Sequence, residues 1–282
     1  MDKLIVLCPN PYRDRGLALA EKAAAALRDA GIRVVMSPVF VDLPQGSRMV
    51  PLHESAREAS MVVSFGGDGT FLHVAREVMG KNIPLLGVNL GAKGFMAGLE
   101  PEDVAQVVAA AEGRYRPSVR MLLDVELVRE DECIYHDRAL NDAVMKSDVS
   151  CIGLRVQSDG MDISSFNGDG VIVATPTGST AYSMSAGGPI VEPEAANLIV
   201  TPICAHVMAA KSYVLSPERR ILITPERLRG RRAVLSVDGS DGIALQSGDE
   251  LRVCRSADVL LVADPGLRSF YDTATDKLTH SI

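Results

Sequence analysis

Asp68 stands inside the pentapeptide Gly66-Gly67-Asp68-Gly69-Thr70, between the apolar run Met61 to Phe65 and a helix-forming stretch, Thr70 to Met79. A strand, a glycine turn and a helix start make a phosphate cradle: glycine lets backbone N–H groups approach an anion, and the helix start adds the positive end of its dipole. The turn is not a P-loop, because no Gly-Lys-Ser/Thr follows, and it lacks the third glycine of the dinucleotide fingerprint. A carboxylate among phosphate-binding amides is electrostatically costly. Two tasks justify it: holding Mg²⁺ on the phosphates, or accepting a proton from a hydroxyl that attacks phosphorus. Both belong to phosphoryl transfer. The same residues also make an ordinary tight turn, in which Asp-Gly supplies the positive φ.

A second polar run follows the strand-like Val171 to Ala174. Thr175, Thr177, Ser179, Thr180 and Ser183 place five hydroxyls within nine positions, with Tyr182 among them and Gly187-Gly188-Pro189 closing the segment. Hydroxyls and amides at a helix start suit ribose and phosphate oxygens, and a tyrosine ring can lie against a flat base. The alternative is a Ser/Thr-capped helix after a strand. Asp169, in Asn167-Gly168-Asp169-Gly170, is a partner for an amide, an amino group or a ribose. Asn141-Asp142 is a third polar element, set between apolar pairs. An amide beside a carboxylate at a strand end can read a purine edge or a ribose diol, although Asn-Asp is also a common turn. His73 is either a solvated helix residue or a phosphate contact. Arg227, Arg229, Arg231 and Arg232 read as a solvated hairpin tip, and Lys93 as a surface lysine.

Up to about residue 115, apolar strand-like runs alternate with helical spacing. Leu4 to Cys8 is followed by a helix over Leu17 to Ala30 with Gly31 as its stop, then the strand Ile32 to Met36. Leu85 to Asn89 is a further strand, and Pro101 opens a helix that ends at Gly113. From Val119 onward strand patterns succeed one another, separated by turns such as Ser158-Asp159-Gly160, with one helix near Thr180 to Ser185. The expected architecture is an α/β N-terminal domain over 1–117, a mostly-β C-terminal domain over 118–264, and a tail, 265–282, that returns to the first domain through Phe270 and a helix-like turn.

The 282-residue chain is long enough for two domains and a large core, and its net charge of −7 disfavours wrapping a polyanion. Aromatic residues are 4% and Trp is absent, which argues against base stacking as a binding mode; no nucleic-acid partner is expected. No apolar run approaches the roughly 20 residues of a membrane helix. The five cysteines are odd in number and scattered, without Cys-x-x-Cys. They read as reduced thiols of a cytoplasmic protein, and their spacing signals neither metal nor redox chemistry.

Taken in order, Gly66-Gly67-Asp68-Gly69-Thr70, Asn89 to Gly94-Phe95, Asn141-Asp142, and Asp169-Gly170 through Thr175-Pro176-Thr177-Gly178-Ser179-Thr180-Ala181-Tyr182 to Gly187-Gly188-Pro189 resemble the NAD kinases. The first motif is shared with phosphofructokinases and lipid kinases; the long second one is much more specific. The resemblance implies ATP-dependent phosphorylation of the adenosine ribose 2′-hydroxyl of NAD⁺, giving NADP⁺, with a divalent cation (Mg²⁺ or Mn²⁺) and a homo-oligomer, dimer or tetramer. It implies that Asp68 is the proton acceptor, with Gly69 beside it and His73 at a position where such enzymes carry a basic residue. Asn141 and Asp142 would hold the adenosine, Asp169 and Tyr182 the nicotinamide end or a neighbouring subunit's ligand, and Thr180, Ala181, Ser183 and Ser185 would line the pocket. No metal-ligating residue is assigned. This chain departs from the family's usual Asn-Glu at Asn141-Asp142, where the shorter carboxylate leaves room for a water. Two rival readings remain at this stage: a kinase of sugar phosphates or lipids, and a non-catalytic dinucleotide sensor.

Overall fold

The computed structural model describes residues 3–41, 49–91, 94–148, 150–206, 210–226, 228 and 230–279. Lys93, Arg227 and Arg229 lie outside them. The chain divides into two units, Met1–Val119 with Val259–Ile282, and Arg120–Asp258.

The first unit is built on parallel strands β1 (Leu4–Pro9), β2 (Arg33–Met36), β3 (Met61–Gly66) and β4 (Leu85–Asn89), in the order β2-β1-β3-β4. Every residue of β1, β3 and β4 is buried, as continuous apolar runs of a sheet covered on both faces should be. The chain returns here at its end: Val262 pairs in parallel with Leu85. Helices α1 (Ala18–Asp29), α2 (Leu52–Ser55), α3 (Asp68–Val78) and α4 (Gln106–Ala111) complete the αβ pattern. Ala20, Ala23, Ala24 and Leu27 of α1 pack with Ile5, Leu7, Val63, Phe65 and Val107 in one core.

Two details of these helices depart from the sequence pattern. α1 starts one residue late, because Gly16 and Leu17 are both left-handed, with φ of 66° and 56°. Its first amides are satisfied from outside the apolar periodicity: buried Asp14 accepts the N–H of Leu19 at 3.0 Å and of Ala20 at 2.9 Å. The expected helix from Pro101 is split into a single 3₁₀ turn, Pro101–Asp103, and α4, before Gly113 at φ 98° ends it. No helix is long and apolar enough to cross a membrane among the described residues.

The second unit is β-rich. Its strands are β5 (Arg116–Arg129), β6 (Glu132–Ala139), β7 (Asp142–Ser147), β8 (Ile152–Ser158), β9 (Met161–Gly168), β10 (Gly170–Ala174), β11 (Leu198–Ile203), β12 (Tyr213–Leu215), β13 (Ile221–Pro225), β14 (Ala233–Val237), β15 (Ile243–Ala244) and β16 (Glu250–Asp264), of which the start of β5 through Val119 and the end of β16 from Val259 belong to the first unit. Six of them form one antiparallel sheet in the order β12-β11-β10-β7-β14-β15. In the other layer β16, β13, β8 and β9 are consecutive antiparallel neighbours, and β5 pairs with β16 and β6. Strands β13 and β14 alternate buried and half-buried residues, the pattern of a sheet with one face in a core. Side chains from both layers, among them Leu123, Met145, Leu154, Val173, Leu198, Ile223, Leu235 and Val253, fill one core.

Instead of one helix near Thr180 to Ser185, the chain makes a 3₁₀ turn, Thr177–Thr180, and a single α turn, α5 (Tyr182–Ser185). The last helix, α6 (Phe270–Thr279), belongs to the first unit, where Phe270 lies 6.4 Å from Phe95 between ring centroids.

Candidate phosphate and dinucleotide sites

In the first unit the strand order reverses between β1 and β3, because β1 leads to β2 on one side and β3 to β4 on the other. Ligands of open parallel sheets bind outside the carboxyl ends of the strands at such a point. Two turns meet there. After β1, the Asn10 amide donates to Thr70 Oγ1 at 3.0 Å. After β3, Gly67 leads directly into α3, whose first residue is Asp68. Gly69 faces open space, since a side chain there would meet nothing within 4 Å. Gly66, by contrast, has no room for one: a Cβ would overlap the Thr70 side chain.

Asp68 is half-buried and held by a second loop. Its Oδ2 accepts the Phe95 N–H at 3.0 Å and its Oδ1 the Met96 N–H at 3.2 Å. Gly94 must be glycine, because a Cβ would fall on Asp68 Oδ1. Asn89 braces the same loop, accepting the Gly91 N–H at 3.1 Å and donating to Glu100 at 3.2 Å. The carboxylate that the sequence singled out is therefore fixed in orientation by backbone donors, with a helix N-terminus under it. His73, one turn along α3, sets its ring 4.4 Å from that of Phe40. Desolvation first, then Arg76, outweigh Glu77 and hold its pKa below the ordinary histidine value, favouring the neutral imidazole.

In the second unit the polar motifs come together. Ala174 pairs with Asp142, and the Thr175 N–H donates to the Asn141 carbonyl at 2.9 Å. The Thr175 hydroxyl donates to the Leu140 carbonyl at 2.5 Å and accepts the Gly178 N–H at 3.0 Å. Gly178 lies so close to Asn141 that a Cβ would land on its backbone carbonyl. Two buried polar atoms at this junction have no partner among the described residues: Asn141 Oδ1 and Thr177 Oγ1. Buried polar groups are rarely left unsatisfied, so an amide oxygen and a hydroxyl here are a place for a ligand's donors. Asp142 is 5% exposed, and desolvation, with Asp238 as a second cause, lifts its pKa to about 7.

Asp238 is the residue that sequence reasoning missed. Its Oδ2 accepts the Leu140 N–H at 2.7 Å, and its Oδ1 accepts those of Asn141 at 2.8 Å and Asp142 at 3.0 Å. One carboxylate thus shapes the whole Asn-Asp turn from nearly a hundred positions away. The available signal was the polar segment Asp238-Gly239-Ser240-Asp241-Gly242, which carries no spacing linked to residue 140.

Most hydroxyls of the second polar run are already used. Ser179 exchanges hydrogen bonds with Val191 at 3.1 and 3.0 Å, Ser183 shares one with Thr201 at 3.0 Å, and Thr180 donates to the Thr177 carbonyl at 3.3 Å. These bonds tie the turn to strands and loops. Tyr182 and Ser185 are exposed, Ala181 half-buried, and the Lys146 ammonium sits 5.8 Å from the Tyr182 ring centroid. Asp169 is exposed in the turn joining β9 to β10, its N–H donating to Ile203 and its carbonyl accepting from Ser147.

A glycine turn at the switch point of a parallel sheet, together with a β unit that carries a polar buried turn, fits a nucleotide-dependent phosphotransferase. Family models agree in both halves: residues 5–114 match the ATP-NAD kinase N-terminal domain and residues 140–263 the ATP-NAD kinase C-terminal domain. The NAD kinase of Natranaerobius thermophilus is 35% identical over 277 residues, covering 97% of this chain and 96% of that protein. That of Symbiobacterium thermophilum is 36% identical over 275 residues, covering 96% of each. The chain belongs to the ATP-NAD kinase family. Its fold is also that of the yeast NADH kinase complexed with NADH, with a TM-score of 0.84 at 24% identity, covering 99% of this chain and 88% of that one. A structure of an NAD kinase from Archaeoglobus fulgidus in complex with ATP gives 0.76 at 24% identity, covering 98% of each chain.

Proposed function

We propose that this chain transfers the γ-phosphoryl group of ATP to the adenosine ribose 2′-hydroxyl of NAD⁺, with Asp68 as proton acceptor. The new bond joins the 2′-oxygen to Pγ, the bond from Pγ to its bridging oxygen breaks, ADP leaves, and the hydroxyl proton passes to Asp68. The observation that carries this reading is the clamp on Asp68: two backbone N–H groups of the 94–96 loop fix the carboxylate that opens the helix after the glycine turn. Asn141 and Asp142 take the adenosine, whose donors the orphaned Asn141 oxygen accepts. Asp169 and Tyr182 take the nicotinamide end or a neighbouring subunit's ligand, and Thr180, Ala181, Ser183 and Ser185 form the wall. Gly69 and His73 approach the phosphates, His73 as a neutral donor.

A divalent cation fits this chemistry as a companion of the triphosphate. Mg²⁺ or Mn²⁺ would be held largely by the phosphates and water. When bound, it neutralises charge on the transferring phosphoryl group. A cytoplasmic homo-oligomer, dimer or tetramer, completes the proposal. The test incubates purified protein with Mg²⁺ and ATP and, separately, NAD⁺, fructose 6-phosphate or diacylglycerol, and couples NADP⁺ formation to an NADP⁺-specific dehydrogenase. Product with NAD⁺ alone supports the reading. Turnover of the sugar phosphate or lipid, or binding of NAD⁺ without ATP consumption, would replace it.

A further inference from the structure

Cys151, Cys204 and His206, brought together from two parts of the chain, gather around Asp169. Cys151 immediately precedes β8, Cys204 immediately follows β11, and Asp169 lies between them, since Ile152 pairs with Gly168 and Ile203 with Gly170. The Cys151 sulfur is 3.0 Å from Nε2 of His206 and 3.8 Å from Asp169 Oδ1. Cys204 lies one position beyond the Ile203–Gly170 pair, on the β11 side of Asp169. His206 is anchored by its N–H, which donates to the Asn167 carbonyl at 2.8 Å. Arg231 brings a guanidinium to the Cys151 carbonyl at 2.5 Å. Cys151 is half-buried and Cys204 exposed, so small oxidants reach both. An accessible thiol in contact with an imidazole is one setting of a reactive cysteine.

We propose that Cys151 and Cys204 form a peroxide-oxidisable dithiol, with His206 as the base that activates Cys151. His206 takes the Cys151 proton; the thiolate attacks a peroxide oxygen, the O–O bond breaks, and hydroxide leaves with that proton as water. Cys151 is then a sulfenic acid. The Cys204 thiol attacks it, an S–S bond forms, and a second water departs. Two thiols lose two electrons and one peroxide gains them. Cys151 and Cys204 flank Asp169 from opposite sides and Cys204 holds a left-handed φ of 46°, so closing the bridge must draw the two strand ends together across Asp169. The bridge spans Asp169 and displaces its carboxylate. That consequence for NAD⁺ rests on the reading of Asp169 as a dinucleotide ligand.

The test treats the full-length protein with hydrogen peroxide, alkylates remaining thiols, and maps peptides by mass spectrometry. The expected result is a Cys151–Cys204 cross-linked peptide while exposed Cys133 remains alkylatable. Cys204→Ser should leave a dimedone-reactive sulfenic acid on Cys151, and His206→Asn should slow oxidation of Cys151 by about tenfold or more. Oxidation of Cys133 as fast as Cys151, or a bridge to any other cysteine, would overturn the proposal. Bridged protein should show a raised KM for NAD⁺ that dithiothreitol restores and that Cys151→Ser does not acquire. An unchanged KM in protein proven to be bridged would remove the link to Asp169. A reduced enzyme inactive on NAD⁺ would count against the proposed function and leave the mapped bridge standing.

Discussion

Asp142 and Asp238 face the same turn with opposite effects. Asp238 spends its two oxygens on three backbone N–H groups, whereas Asp142 is buried beside that charge and its pKa rises from about 3.9 to about 7. A raised carboxylate pKa means the fold binds the proton more tightly than the unfolded chain does. Its stabilising contribution is complete below about pH 4 and is lost as pH climbs through about 7. A ribose or adenine donor prefers the ionised form, so NAD⁺ binding should strengthen over the same interval. The KM for NAD⁺ should fall between pH 6 and 8, and Asp142→Asn should flatten that profile while raising the melting temperature at pH 8. An unchanged pH profile in the variant would remove Asp142 from the ligand.

At the scale of elements, glycines decide how closely the motifs meet. Gly178 touches the Asn141 carbonyl, so Gly178→Ala must push the two apart. The expected cost is about 1–3 kcal/mol, together with a raised KM for NAD⁺ and little change in kcat, read by calorimetry and steady-state kinetics. The loop that clamps Asp68 has its own brace: Pro265 abuts Gly98, Arg268 lies 3.6 Å from Glu100, and Phe270 approaches Phe95. A chain ending at Asp264 should melt several degrees lower and lose kcat more than NAD⁺ affinity. Equal loss of both would mean that the tail does not act through Asp68. The glycine turn and the polar run were legible in the sequence because their signals are local: residue type, short spacing and the change from strand to helix. What escaped is long-range. Nothing near Asp238 announces that its carboxylate serves residues 140–142, and nothing in the spacing of Cys151, Cys204 and His206 brings them together. The structural use of the hydroxyls escaped for the same reason: nothing near Ser183 announces its hydrogen bond with Thr201, eighteen residues on. Asp14 escaped because it caps α1 from outside the helical pattern.

Over the whole molecule, the αβ-then-β order was readable because hydrophobic periodicity changes near residue 119, but the return of β16 to the first unit was not. The apolar run Val259 to Ala263 carries no local mark of its partner, and only the pairing of Val262 with Leu85 shows which sheet it joins. The same view separates folding from cofactor. With no metal cage among the described residues, chelation by EDTA should abolish turnover and leave the melting temperature of the ligand-free protein unchanged. A large fall in melting temperature would instead indicate a structural metal.

The role of Asp68 is tested most directly by turnover in Asp68→Asn, with NAD⁺ binding and circular dichroism measured on the same protein. An asparagine amide cannot accept both the Phe95 and Met96 N–H groups, so a loss of stability of about 1–2 kcal/mol is expected and leaves the protein folded. The account predicts NAD⁺ affinity within a few-fold of the parent and kcat lower by about 10²–10⁴. A folded variant that binds NAD⁺ and turns over at the parent rate would contradict it.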